Sequence, residues 1–183
     1  MTDFTLHTLE TTPAGSKAIL EGAVAQMGTI PSLYAVMAES PEILTAYTQL
    51  HQAFTGTSFD AEELTVVWQT INVEHECHFC VPAHTAIANS MNVDPALTEA
   101  LRNSTAMPTA KLQALHDLTL ILVRQRGNAT DEQLEAFYAA GYTTKQVLEI
   151  ILGISQKVIS NYVNHVAKTP VDDMFKPFAW TKA

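Results

Sequence analysis

The sequence predicts an all-α fold, a helical bundle built of antiparallel hairpins. Capping residues recur just ahead of apolar stretches with helical spacing, while alternating polar and apolar runs bounded by tight turns are hard to find. The connections are also short, which makes consecutive helices antiparallel neighbours. Residues 14–27 read as the first helix, stopped by Gly28. Ser40 followed by Pro41 places a capping residue before a first-turn proline and opens a helix with Ile43, Leu44, Tyr47, Leu50 and Phe54 on one face. Asp60 and Glu63 have capping-box spacing ahead of Leu64, Val67, Trp68 and Ile71. Asp94-Pro95 starts a short helix, and Thr109 opens a longer one through Leu112, Leu115, Leu118 and Leu122 to Gly127. Thr130 with Gln133 caps the next, which carries Leu134, Phe137 and Tyr138 up to Gly141. Thr143 with Gln146 caps the last long helix, where Val147, Ile150, Ile151, Ile154 and Val158 line up as an apolar stripe. Residues 168–183 hold two prolines and are expected to be an irregular tail.

Length and composition bound the function. With 183 residues and no linker, residues 1–183 are expected to form a single domain. Ten Lys and Arg against 19 Asp and Glu give a net charge of -9, which argues against nucleic acid as a partner. Hydrophobic residues make up 47% and charged residues 16%, enough for a sizeable core. The start of the chain has no basic-then-apolar leader, and the longest greasy stretch, residues 147–154, is broken by Glu149 and Gly153. A cytoplasmic protein with no membrane partner is the expectation. One weak internal echo exists: residues 60–86 and 130–167 both read as a capped helix, a turn and a second helix, aligning His84 with His165 and Cys80 with Asn161.

The chemistry concentrates in Glu74-His75-Glu76-Cys77-His78-Phe79-Cys80-Val81-Pro82-Ala83-His84. Cys77 and Cys80 are the only cysteines, and the loop they close is too small to staple a framework. Proline fits only the first turn of a helix, so Pro82 sets the helix start near Cys77 or His78. Both thiols then sit at a helix N-terminus, where the dipole favours thiolate, and the argument slightly favours Cys77 as the more acidic. His84 shares a helical face with both and can exchange protons with a thiol or a leaving group. Together these make a dithiol redox centre, in which one sulfur forms a sulfenic acid and the other condenses with it to a disulfide. Zinc is the rival for this cluster, with His84 and His75 or His78 completing the ligands, but no second ligand pair exists in the sequence. A buried structural role for the cysteines conflicts with the ionisable crowd around them.

The pattern Cys77-x-x-Cys80-x-x-x-His84 in a helical hairpin, with Asn72-x-Glu74-x-x-Cys77 before it and Thr85 after, resembles the alkylhydroperoxidase AhpD-like group of the carboxymuconolactone decarboxylase superfamily, in its peroxidase-related branch. The resemblance extends to Asn161-Tyr-Val-Asn-His165 and to the aromatic tail at Phe178 to Trp180. It implies an AhpD-like bundle and a thiol-dependent peroxidase acting on hydroperoxides. The reaction would need no cofactor beyond a redox-active Cys77–Cys80 disulfide, regenerated by an external dithiol reductant protein or small thiol. By position Cys80 would attack the peroxide, Cys77 would resolve the intermediate, and His84 would belong to the proton relay. Assembly as a homo-oligomer, a trimer or hexamer, is also implied.

Two positions depart from the pattern. The relay glutamate of the group, twelve residues before the first cysteine, is Thr65 here, and Glu74 is the expected substitute, with Glu76 and Glu62 behind it. The residue before the second cysteine, His in some members, is Phe79. Two other classes stay open: a decarboxylase-like lyase acting on a lactone acid, and a non-enzymatic oligomer with a vestigial site. His165 is expected to be an interior histidine, while His7, His51 and His116 receive no role. Tyr34, Tyr47 and Trp68 are read as packing.

Overall fold

The computed structural model describes residues 4–182; residues 1–3 and 183 of the expected single domain lie outside that range. Among the described residues the chain forms nine α-helices and one 3-10 helix, with no strand. The helices are α1 (Ala14–Met27), α2 (Ser32–Met37), α3 (Pro41–Thr55), α4 (Ala61–Glu74), α5 (Cys80–Ser90), α6 (Pro95–Arg102), α7 (Ala110–Arg124), α8 (Asp131–Ala139) and α9 (Thr144–Ala167). Reciprocal capping boxes form at Asp60/Glu63, Thr130/Gln133 and Thr143/Gln146, and Thr109 and Asp94 accept from the amides of Leu112 and Ala96. Ser40 departs from expectation: its hydroxyl donates to Glu42 and leaves the helix start to Pro41.

α4 forms the centre, with every residue from Glu63 to Val73 buried. On one side Phe54, Trp68, Ile71, Leu97, Leu115, Leu118, Phe137 and Ile150 make the larger core. On the other, Leu20, Leu33, Met37, Leu44 and Tyr47 pack around Cys77, Phe79, Cys80 and Ala83. The two thiols are therefore built into a hydrophobic layer.

Three sequence expectations change. α2 follows Pro31 with no side-chain cap and is six residues long, too short to show a helical period. The tail expected to be irregular contains a 3-10 helix at Asp173–Phe178. The largest change concerns α9. Its buried positions are Glu149, Ile150, Gly153, Gln156, Lys157, Ser160, Asn161 and Asn164, while Ile151, Leu148, Tyr162 and Val166 are exposed. The inward face of α9 is thus mostly polar, because it faces the polar centre described below. The hairpin echo weakens too, since α9 is 24 residues against 11 for α5, and His165 is exposed where His84 is buried.

The crossing of α9 with α3 and α4 depends on Gly153. A Cβ there would lie 2.7 Å from Phe54 Cε2 and 2.9 Å from Val67 Cγ1. Gly153→Ala is expected to destabilise the protein by about 1–3 kcal/mol through overpacking, read from chemical denaturation midpoints. An unchanged midpoint would show that the crossing has slack.

Candidate active site

The turn before α5 sets the position of both sulfurs. α4 closes with a Schellman motif, in which Glu76 N–H donates to Val73 O and Cys77 N–H to Asn72 O, both at 3.0 Å. The motif needs a left-handed residue, and Glu76 supplies it at φ 54°. Regular helix begins at Cys80, yet Val81 N–H already donates to Cys77 O, and Cys80 N–H donates to Cys77 Sγ at 3.2 Å. Cys77 therefore caps the helix with its sulfur, as a serine or aspartate would with oxygen. Cys80 sits one turn in, and His84 one turn further.

Around Cys80 the chain assembles a buried cluster of ionisable and polar groups. Cys80 is 2% exposed, and Cys77 and Lys157 are 0% exposed. Burial opposes the Cys80 thiolate, but the Cys77 thiol, the Lys157 ammonium and the amides of Asn164 and Asn161 outweigh it and lower the thiol to about 5. Asn164 Nδ2 lies 3.2 Å from Cys80 Sγ. The partner effect raises Cys77: its S–H is held by Cys80, and burial and the adjacent charge add to this. Burial also lowers Lys157, against the pull of the Cys80 and Cys77 sulfurs. Lys157 Nζ lies 2.8 Å from His84 Nε2. Burial, then Lys157 and His51, drive His84 well below its ordinary value, so it is neutral and its Nε2 accepts from the ammonium.

A cavity of about 140 Å³ opens onto this centre. Cys80, His84 and Lys157 form its polar end, and Leu33, Tyr34, Phe79 and Phe175 are among its apolar walls. Cys77 does not line it. The 3-10 helix covers one side, with Phe175 edge-on to Phe79 at 6.0 Å. Asp172 ties that helix to α2 by accepting from Ser32 N–H at 3.1 Å. Tyr47 and His51 line the cavity from α3, and Gln156 fixes the ring behind them by accepting from Trp68 Nε1 at 2.8 Å and donating to His51 Nδ1 at 3.0 Å. Beneath the cysteines a chain of side-chain amides runs from Asn161 to Asn72 to Gln69, and Gln69 donates to Val81 O and Thr85 Oγ1. These bonds fix the first turn of α5 against α4 and α9.

The predicted residues separate into two groups. Cys77, Cys80 and His84 come together, but His84 contacts Lys157, so the direct thiol–imidazole contact expected from helical spacing is replaced by one through the lysine. The more acidic sulfur is Cys80, which corrects the dipole argument: specific donors around Cys80 outweigh the small advantage of the helix start. Glu74 is a correction as well. It pairs with Arg124, whose Nε and Nη2 donate at 2.8 and 2.9 Å, in a separate depression with Leu101 and His116. Those hydrogen bonds hold its carboxyl below the ordinary range. Thr65 donates to Ala61 O at 2.8 Å, as a threonine inside a helix commonly does. His75 bonds Asn161, and His78 donates to Thr169 O while stacking on His165. The three histidines proposed as zinc ligands thus have separate protein partners. Lys157 was missed, and Asn161, Asn164, His51 and Tyr47 were named without a place at the site. The available signal was the spacing of Gln156-Lys157, Ser160-Asn161 and Asn164, a polar stripe one helical turn apart within a greasy helix.

At about pH 6 iodoacetamide is expected to label Cys80 first, with reactivity lost as pH falls through the lowered Cys80 value. Peptide mapping reads the site, and earlier labelling of Cys77 would contradict the assignment. Glu74→Gln is expected to leave that labelling rate unchanged, since its carboxylate answers to Arg124.

Comparison with known proteins gives likeness in structure. No family model matches the chain, and no curated protein matches it in sequence. An AhpD-core peroxidase-related protein from Ralstonia eutropha JMP134 superposes with a TM-score of 0.82 at 17% identity, over 96% of each chain. A peroxidase-related protein from Silicibacter sp. TM1040 gives 0.79 at 18% identity, over 95% of each. The debrominase Bmp8 gives 0.75 at 14% identity, over 97% of this chain and 96% of the other. All helical among the described residues and superposing over 96% of its length, the chain has the AhpD-like all-α fold.

Proposed function

We propose that the chain is a thiol-dependent peroxidase that reduces small organic hydroperoxides through Cys80 and Cys77. One observation carries the reading: a thiolate-favouring sulfur faces a largely apolar cavity, with a second thiol held protonated next to it. Cys80 Sγ attacks the terminal peroxide oxygen, the O–O bond breaks, and an alcohol leaves with Cys80 as sulfenic acid. The Cys77 sulfur then displaces hydroxide as water and forms the disulfide. An external dithiol, a reductant protein or a small thiol, returns both cysteines to thiols, a cycle that fits a cytoplasmic setting. The cavity favours an apolar R group, because its volume compares with engineered apolar cavities of roughly 150 Å³ that admit benzene. Self-assembly belongs to the same reading, since Leu148, Ile151, Tyr162 and Val166 leave an apolar stripe along the outside of α9.

The aromatic walls also favour a second reading, reductive removal of halogen from a small aromatic ring. A cysteine-to-alanine variant of the Bmp8 debrominase, alike in fold at a TM-score of 0.71 and 13% identity, holds 2,3,4-tribromopyrrole.

Counting free thiols decides between these readings. One equivalent of an alkyl hydroperoxide is expected to consume two thiols in the reduced protein. Cys77→Ser is expected to accumulate sulfenic acid and Cys80→Ser to remain inert. Unchanged thiols would overturn the peroxidase reading and return the lyase and binding alternatives. Bromide release from 2,3,4-tribromopyrrole with loss of two thiols, absent reaction with hydroperoxide, would assign dehalogenation.

A further inference from the structure

The steps above leave open where the leaving oxygen finds its proton, and the carboxylate expected for that task is not at the site. Thr65 cannot supply it, and Glu74 is held by Arg124. Lys157 lies completely buried in the middle of α9 and lines the same cavity as Cys80. An ammonium out of water needs partners for three N–H donors. His84 Nε2 takes one at 2.8 Å, and the nearby Cys80 sulfur attracts the charge. No other protein hydrogen bond to Nζ forms among the described residues, and Lys157 lines the cavity, so Nζ has donor capacity left for a molecule bound there.

The other groups around the cavity are poor proton donors. The neutral His84 has its Nε2 lone pair occupied by the ammonium. His51 is held neutral by burial and by Lys157, and its Nδ1 accepts from Gln156. Burial raises the Tyr47 hydroxyl, with Tyr34 and Cys80 adding to the effect, so it is a weaker acid than in water.

We propose that Lys157 is the general acid of the peroxide step, an assignment that rests on the peroxidase reading. Cys80 thiolate attacks the terminal oxygen of ROOH, an S–O bond forms and the O–O bond breaks. The departing RO⁻ takes a proton from Lys157 Nζ, giving ROH, sulfenic acid and a neutral amine. In the second half the amine receives the Cys77 thiol proton. Cys77 thiolate then attacks Cys80 Sγ, and the departing hydroxide recovers that proton as water. The products are a disulfide and an uncharged Lys157. The charge balance fits the site, because the ammonium loses its counter-ion in the same cycle that discharges it, and no unpaired buried charge is left. His84 is a positioning residue that holds Nζ at the polar end of the cavity.

The test compares two oxidants that differ in their need for a proton. tert-Butyl hydroperoxide expels an alkoxide that must be protonated, whereas peracetic acid expels acetate, which leaves without help. Lys157→Arg keeps a buried cation beside Cys80 but does not give up its proton at neutral pH. It is expected to slow tert-butyl hydroperoxide by about 100-fold or more while peracetic acid reacts at close to the parent rate. Should the arginine variant fail a circular-dichroism check for folding, Lys157→Met decides. Its rates are divided by the thiolate fraction read from iodoacetamide labelling against pH, and the same selective loss is expected. Equal slowing of both oxidants, or of neither, would overturn the acid role and leave the peroxidase reading standing. Failure of the unsubstituted protein to lose thiols to either oxidant would overturn both.

Discussion

On the proposed reading, the interaction on which the rest of this structure depends is the buried pair of Lys157 and Cys80, as ammonium and thiolate. Bringing two charges out of water costs several kcal/mol per ion, and mutual attraction offsets that only with good geometry and further hydrogen bonds. The chain supplies them from three directions: Asn164 from α9, the Cys77 thiol from the preceding turn, and His84 from the next turn of α5. Removal of any of these partners leaves a buried charge short of a bond. This explains why a segment inside a hydrophobic layer carries so many polar groups.

Much of the architecture follows from housing that pair. α9 turns Gln156, Lys157, Ser160, Asn161 and Asn164 inward, which leaves apolar residues such as Leu148 and Val166 on its outer face. α4 meets that polar face with Gln69 and Asn72, whose amides link α5 to α9. Side-chain amides have two donors and fixed acceptors, so such a chain sets orientation more rigidly than apolar contact does. α2 and the 3-10 helix then add apolar wall from Leu33, Tyr34 and Phe175 to the cavity whose polar end is Cys80, His84 and Lys157.

The sequence made the fold legible to a large extent, and the site in part. Capping boxes at Asp60, Thr130 and Thr143 are local rules, satisfied by residues three apart, so they survive without knowledge of tertiary contacts. Cys77, Cys80 and His84 were also visible, because they lie within about two turns of chain at the start of one helix. Lys157 was not, because it arrives from a helix 73 residues beyond His84 and reads in one dimension as a solvated lysine. The α9 stripe was legible in part: Val147, Ile150 and Ile154 do pack on the larger core, while Ile151 is exposed and the polar face went unseen. Val147, Ile150, Ile151, Ile154 and Val158 fit a helical stripe, but which side of a helix faces inward is set by its neighbours. Glu74 failed for the opposite reason: close in sequence to Cys77, it is turned away by the Schellman motif and captured by Arg124.

The peroxidase reading and the role of Lys157 both require that Cys80 is ionised while buried. Far-ultraviolet absorbance of the reduced protein measures this directly, because a thiolate absorbs where a thiol does not. The account predicts one thiolate per chain at neutral pH, lost on acidification well below the ordinary thiol range and absent in Cys80→Ser. Absorbance that appears only in the ordinary alkaline range, or that survives in Cys80→Ser, would contradict it.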